Sequence, residues 1–380
     1  MPFAAALSEH PLATHATGEV VGSLLEQIGP APDLAMVFVT GAHLGALEDI
    51  AATIRVTLAP GTLLGVTAIS VLGGAREVEE HAAISVWAAR VAEVEPIRLV
   101  PHRGTDAVEF TGLPETAAIP GSTLVLVADP TSFPLDPFLD GVARQLPDLQ
   151  VIGGVASAVM APGANRLALN GAVHTDGAIG ALLGPEWPVT TLVSQGCRPI
   201  GDPFTVTRAE RSMIYEMAGA PALDKVRSVV AELSPEDRAR AAQGLHIGRV
   251  IDEHRIDPGP GDFLIRNLHG GDPDTGAIAV GDEVEIGSTV QLQVRDAETA
   301  DDDLRELLGG TRAASAVIFT CNGRGTRLFG EPDHDAGLVT DVVGPAVAGM
   351  FCAGEVGPIG GRPFVHGFTA SIALFSEPPA

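Results

Sequence analysis

The amino-acid sequence predicts a mixed α/β (α+β) protein of two related halves, with mixed β-sheets flanked by helices and built from repeated β-α-β units. Three observations carry this reading. Short runs rich in Val, Ile, Leu and Ala, bounded by Gly and Pro, recur along the chain, which is the pattern of buried strands. Segments of helical length join successive runs, as a crossover between parallel strands requires. The spacing also repeats, with 26 positions from Val39 to Gly65 and again 26 from Val127 to Gly153.

Taken in order, the first copy has a strand over 35–39, a helix near 47–58 and a strand over 63–68. After Gly73-Gly74 a return strand follows over 83–88. The second copy has a strand over 123–127, a helix near 137–146, a strand within 151–157 and a return near 177–183. A third, more divergent copy has strands over 316–319 and 347–351 around a helix at 335–343, and a final strand over 369–375. Its connection is longer, with 30 positions from Phe319 to Gly349. Between the second and third copies, apolar residues at Met213, Ile214, Met217, Leu223, Val226, Val229 and Val230 predict helix over 208–233, broken at Gly219-Ala220-Pro221. Strands follow near 244–251, 263–267 and 287–294. A helix over 299–308 ends at Gly309-Gly310, with Asp301-Asp302-Asp303 placed at its N-terminus to complement the dipole. The second copy closes near 184–188, so the expected domains are 1–187 and 188–380.

Composition excludes several classes of function. The 380 residues carry 48 acidic and 23 basic side chains, a net charge of −25. Phosphate-rich partners need a basic face, so no nucleic-acid partner is expected. No apolar stretch is long enough for a membrane span, and the first residues lack the basic start of a secretory signal. Lys225 is the only lysine and has no glycine run before it, which removes a P-loop. Nothing around it points to a Schiff-base role. The histidines show no metal-ligand spacing, and Ser157 has no nucleophile-elbow frame. Three cysteines without a CxxC pair argue against both a disulfide framework and structural zinc. The simplest expectation is a cytoplasmic protein with three free thiols.

Those cysteines share one local pattern. Cys197, Cys321 and Cys352 each stand at or just past an apolar run, among glycines, with Arg198, Arg324 or Glu355 close behind. Loops at strand carboxyl ends are where α/β proteins bind ligands. Arg324 offers a planar fork to a carboxylate and Glu355 an acceptor to an amine. An alternative reading is that Arg324 and Glu355 pair with each other. Asn322 offers both a donor and an acceptor, or serves as a turn residue before Gly323. His366 is a candidate ligand or acid/base, or else a satisfied core residue.

The motifs Val151-Ile152-Gly153-Gly154-Val155-Ala156-Ser157 and Gly196-Cys197-Arg198-Pro199-Ile200-Gly201 carry a family resemblance, together with Cys321-Asn322-Gly323-Arg324, Gly354-Glu355-Val356-Gly357-Pro358 and His366-Gly367-Phe368-Thr369. On these the chain resembles the FIST proteins, a bacterial family of sensory modules with an N-terminal and a C-terminal FIST domain. The resemblance implies intracellular signal transduction and the binding of small ligands such as amino acids. Some members are linked to haem and nitric-oxide sensing. This chain shows no attached kinase, cyclase or methyl-accepting segment.

The leading expectation is therefore a small-ligand-binding sensory protein rather than an enzyme, with a signalling protein as its partner. Its expected ligand-binding residues are Cys197, Arg198, Cys321, Asn322, Arg324, Cys352, Glu355 and His366. One alternative is a thiol enzyme using Cys197 or Cys352 as nucleophile with His366 as base. Another is a haem-based gas sensor. Covalent haem is excluded by the lack of C-x-x-C-H, and non-covalent haem stays open.

Overall fold

The structure, a computed structural model, describes residues 2–92, 94–104, 108–255, 258–259 and 261–376. The chain separates into two compact units. The first takes Met1–Val193, Arg305–Val365 and Thr369–Ala380, and the second takes Ser194–Leu304 and His366–Phe368. The second unit is thus inserted within the chain of the first, a division different from the expected cut after residue 187.

Within the first unit the repeat is threefold. Leu34–Thr40 pairs parallel with Thr62–Ala68 and antiparallel with Ile84–Ala89. Thr123–Ala128 pairs in the same way with Gln150–Val155 and Ala178–Leu183. Ser315–Cys321 does so with Val347–Cys352 and Thr369–Phe375. Helices Leu47–Thr57, Leu135–Gln145 and His334–Val343 make the three crossovers. The expected mixed sheets flanked by helices are present, and the first two copies occupy the same topological places. The third copy, weakest in sequence, has the same pairing.

What spacing could not reveal is an exchange of hairpins. In each copy a hairpin precedes the return strand, and it joins the sheet of another copy. Ser70–Gly73, leading into Arg76–Glu79, pairs with Val347–Cys352 of the third sheet. Leu167–Leu169, leading into Ala172–His174, pairs with Thr62–Ala68 of the first. Glu355–Ile359, leading into Arg362–His366, pairs with Gln150–Val155 of the second. The three sheets are therefore linked in a ring.

Strand alternation explains why the apolar runs are uninterrupted. Leu34, Met36 and Phe38 face a common core with Val125, Val127, Val317, Phe319, Met350 and Phe375. Ala35, Val37 and Val39 face the opposite way, onto Val20, Leu24, Ile50 and Ile54 of helices Ala13–Gln27 and Leu47–Thr57. Leu124, Leu126 and Val151 likewise meet Phe138, Leu139 and Val142. Trp87 is fully buried in the common core and donates its indole N–H to Ser315 Oγ at 2.7 Å.

The Ile-Gly-Gly-Val segment marks a close approach. Gly153 has φ +155°, and a Cβ there would stand 1.8 Å from the Leu126 carbonyl oxygen. A Cβ on Gly154 would stand 2.3 Å from Cys352 Sγ. Just beyond, Ser157 Oγ accepts from the Ile69 amide and donates to the Phe351 carbonyl, so one hydroxyl ties all three copies together.

The second unit is built on a seven-stranded sheet containing Cys197–Glu210, Met213–Met217, Leu245–Val250, Phe263–Asp272 and Thr289–Arg295. Here the expected helix over 208–233 is corrected. Met213–Met217 is a strand paired with Ala277–Val280, and only Ala222–Glu232 is helical. Positive φ at Arg211, Ala218 and Gly219 makes tight turns on both sides of the strand. A five-residue strand that leads through a turn into a helix leaves apolar residues at spacings that mimic one longer helix. The helix expected over 299–308 begins earlier, at Ala297, because Asp296 Oδ1 accepts from the amides of Glu298 and Thr299. Asp301-Asp302-Asp303 therefore lies in the body of the helix and not at its start. Helices Ala13–Gln27 and Pro235–Gln243 were not expected from the sequence.

Candidate functional site

Parallel register sets Cys321 and Cys352 side by side as Cα partners at the carboxyl ends of their strands. Both cysteines fall on the strand positions that face the common core. The chain turns at once after Cys321, with the Arg324 amide donating to the Cys321 carbonyl at 2.8 Å. The Asn322 amide donates to the Cys352 carbonyl at 3.0 Å, which pins this turn to the neighbouring strand. Asn322 Oδ1 is buried with no hydrogen-bond partner among the described residues.

Arg324 is wholly buried, and its guanidinium is engaged by Asp335. Nε donates to Oδ2 at 2.7 Å and Nη2 to Oδ1 at 2.8 Å. Thr320 Oγ1 adds a bond to Oδ2 at 2.8 Å, and the His334 ring lies against Oδ1 at 3.1 Å. Burial opposes ionisation of Asp335, but the Arg324 charge and these bonds outweigh it and hold the carboxyl well below the usual range. The sequence weighed Arg324 against Glu355 as partner; the ion pair forms with Asp335, eleven residues on, in the first turn of helix His334–Val343.

Glu355 is also wholly buried, and its Oε2 accepts from the Thr369 amide at 3.2 Å and the Thr369 hydroxyl at 3.0 Å. Oε1 has no hydrogen-bond partner among the described residues. Burial raises its pKa to about 8, although Thr369, the Cys321 thiol and the Arg324 charge all oppose the rise. Burial, and then the nearby Glu355 and Cys321, push the Cys352 thiol up as well. That is the reverse of what a nucleophilic cysteine or an axial thiolate for haem needs.

A second unusual carboxyl arrives on the exchanged hairpin. Glu77 Oε1 accepts from the Ala336 amide at 3.0 Å, while its own amide donates to Asp333 Oδ1 at 2.6 Å. Burial, and then the Asp335 charge, raise its pKa to about 7. Sequence reasoning missed Glu77 and Asp335, and it met Thr369 only within the family motif His366-Gly367-Phe368-Thr369. The one local signal for Glu77 was an acid within a short strand pattern.

Cys197, Arg198 and His366 belong to the second unit. Cys197 is buried against Val250, Phe263 and Ile265 as a small core side chain. Arg198 Nε donates to Asp296 Oδ2 at 2.9 Å, and its Nη2 bonds Asp237. His366 is buried. Among the described residues, no group of three or more His, Cys, Asp or Glu side chains is placed to hold a metal ion. No helix among them is long and apolar enough to cross a membrane.

Comparison with known families and proteins adds a second line of evidence. A model of the FIST N domain matches residues 33–220, and a model of the FIST C domain matches residues 222–358. An uncharacterized protein of Mycobacterium tuberculosis is 40% identical over 389 residues, spanning 99% of this chain and 100% of its own. An uncharacterized protein of Mycobacterium bovis is 40% identical over 377 residues, 97% of each chain.

Proposed function

The chain belongs to the FIST family, and from that membership and the geometry above we propose a small-ligand-binding sensory protein whose amino-acid-like ligand places its amine on Glu355. FIST domains are associated with small-ligand sensing and signal transduction. The observation that carries the finer reading is the Glu355 carboxyl: fully buried, fixed at Oε2 by Thr369, unpartnered at Oε1, and with a pKa raised to about 8. A buried polar atom without a partner is costly, so an incoming donor would be rewarded. Cys321 and Cys352 lie beside Glu355, and the Asn322 amide is tied to the Cys352 carbonyl. Arg324, fixed by Asp335, supplies the positive charge that orients a ligand carboxylate. Free thiols fit a cytoplasmic setting, and a signalling protein would receive the output. The high pKa of Cys352 argues against the thiol-enzyme reading.

Thermal-shift screening of the common L-amino acids and their decarboxylated amines tests this. At least one should raise the melting temperature of the wild-type protein and fail to do so for Glu355→Gln. No stabiliser in the panel, or equal stabilisation of the variant, overturns the reading. Absorbance in the Soret region of the purified protein tests haem in parallel.

A further inference from the structure

A different carboxylate lies at a strand end of the second sheet. Asp129 directly follows strand Thr123–Ala128, just as Gly41 follows Leu34–Thr40 and Asn322 follows Ser315–Cys321. Asp129 is wholly buried. Its Oδ1 accepts from the amides of Thr131 and Ser132, each at 3.0 Å, and from their hydroxyls, each at 2.7 Å. Its Oδ2 is buried with no hydrogen-bond partner among the described residues. Four donors on one oxygen fix the carboxylate rigidly and leave the other oxygen unserved.

Asp129 lines a cavity of about 290 Å³ at these strand ends. Phe133, Leu135, Val155 and Met160 give it apolar walls, and Met160 is two-thirds exposed. Asp136 is the only other charged residue among the described residues of the wall. The cavity of the first sheet beside Gly41 is smaller at about 170 Å³; Glu80 and His81 line it, and no acidic residue follows strand Leu34–Thr40 directly. A half-open cavity with a mixed polar and apolar lining, two acidic side chains and no basic one among the described residues of its wall favours a cation with a compact hydrocarbon body.

We propose that this cavity is a second ligand site, for a small primary ammonium compound with an apolar body, whose ammonium group bonds Asp129 Oδ2. The site is separate from the Glu355 reading, and either can fail alone.

Isothermal titration with phenethylamine tests it, with 2-phenylethanol as the uncharged analogue. Phenethylamine should bind the wild-type protein, and 2-phenylethanol should bind roughly tenfold more weakly or worse, as loss of a charge-assisted bond implies. Asp129→Asn keeps an oxygen for Thr131 and Ser132, and it should weaken phenethylamine binding by a similar factor while circular dichroism shows the fold intact. Ala353→Leu, at an exposed position of the same wall, should block binding without touching Asp129. It decides the matter if Asp129→Asn fails to fold. No binding to the wild-type protein, equal binding of the alcohol, or unchanged affinity in folded Asp129→Asn or in Ala353→Leu overturns the proposal.

Discussion

Arg324 and Asp335 form a fully buried two-point ion pair, with Nε on Oδ2 at 2.7 Å and Nη2 on Oδ1 at 2.8 Å. The pair fixes the turn after strand Ser315–Cys321 to the first turn of helix His334–Val343. It makes Arg324 a structural clamp between the two elements. Arg324→Met should therefore cost about 3–5 kcal/mol, because it strands the Asp335 carboxylate in the interior. Urea unfolding measures the loss. The double variant Arg324→Met/Asp335→Leu should recover most of it, since no lone charge remains. A single variant as stable as the wild-type protein would contradict the clamp.

Stability should fall as pH rises through neutrality. The folded-state pKa of Glu355, about 8, lies above its ordinary 4.5, so the folded protein keeps a proton that the unfolded chain has released. Stability is full below about pH 4.5 on this account and declines until about pH 8. Glu77 adds the same trend up to about pH 7. Asp335 acts oppositely: its contribution is present above its ordinary 3.8 and is lost in stronger acid. The melting temperature should be higher near pH 5 than near pH 8, and Glu355→Gln should narrow that gap. A melting temperature that climbs from pH 5 to 8 would rule the assignment out.

The three thiols should differ in reactivity. Cys197 and Cys352 are buried and Cys321 is partly exposed. Iodoacetamide on the native protein should label Cys321 first. Cys352 should react only after unfolding, since burial both blocks access and disfavours its thiolate. Titration of the unfolded, non-reduced protein should find all three thiols free. Peptide mapping reads the order, and early labelling of Cys352 would revive a catalytic thiol.

Gly154→Ala should destabilise by about 1–3 kcal/mol, the usual cost of forcing a methyl into a packed site. The added carbon would meet Cys352 Sγ at 2.3 Å. Cys352→Ala in the same chain should recover part of the loss. Full stability of the single variant would show that the two segments are not in close contact.

Much of the first unit could be read from sequence, because its strands are short apolar runs whose order and spacing repeat. The 26-position match located equivalent strands correctly. The hairpin exchange was hidden because a hairpin's partner strand depends on tertiary packing and not on local pattern. The strand Met213–Met217 was mistaken for helix because apolar residues at 213, 214 and 217 satisfy both periods over so short a window. At the candidate site, Cys321, Asn322, Arg324, Cys352 and Glu355 were picked out by their position after strands. Asp335 and Glu77 were not, because their partners lie on other elements and no local spacing records a pairing across 259 residues, as between Glu77 and Ala336.

The most direct test of ligand binding at Glu355 is a proton count. At pH 7 the Glu355 carboxyl, with a pKa of about 8, is largely protonated. An ammonium group that bonds its ionised form must therefore drive out a proton. The amino acid giving the largest thermal shift would be titrated calorimetrically in phosphate and in Tris, whose ionisation heats differ. The account predicts release of close to one proton per ligand in the wild-type protein and none in Glu355→Gln. A binding heat independent of buffer, or a proton release that survives in Glu355→Gln, would contradict it.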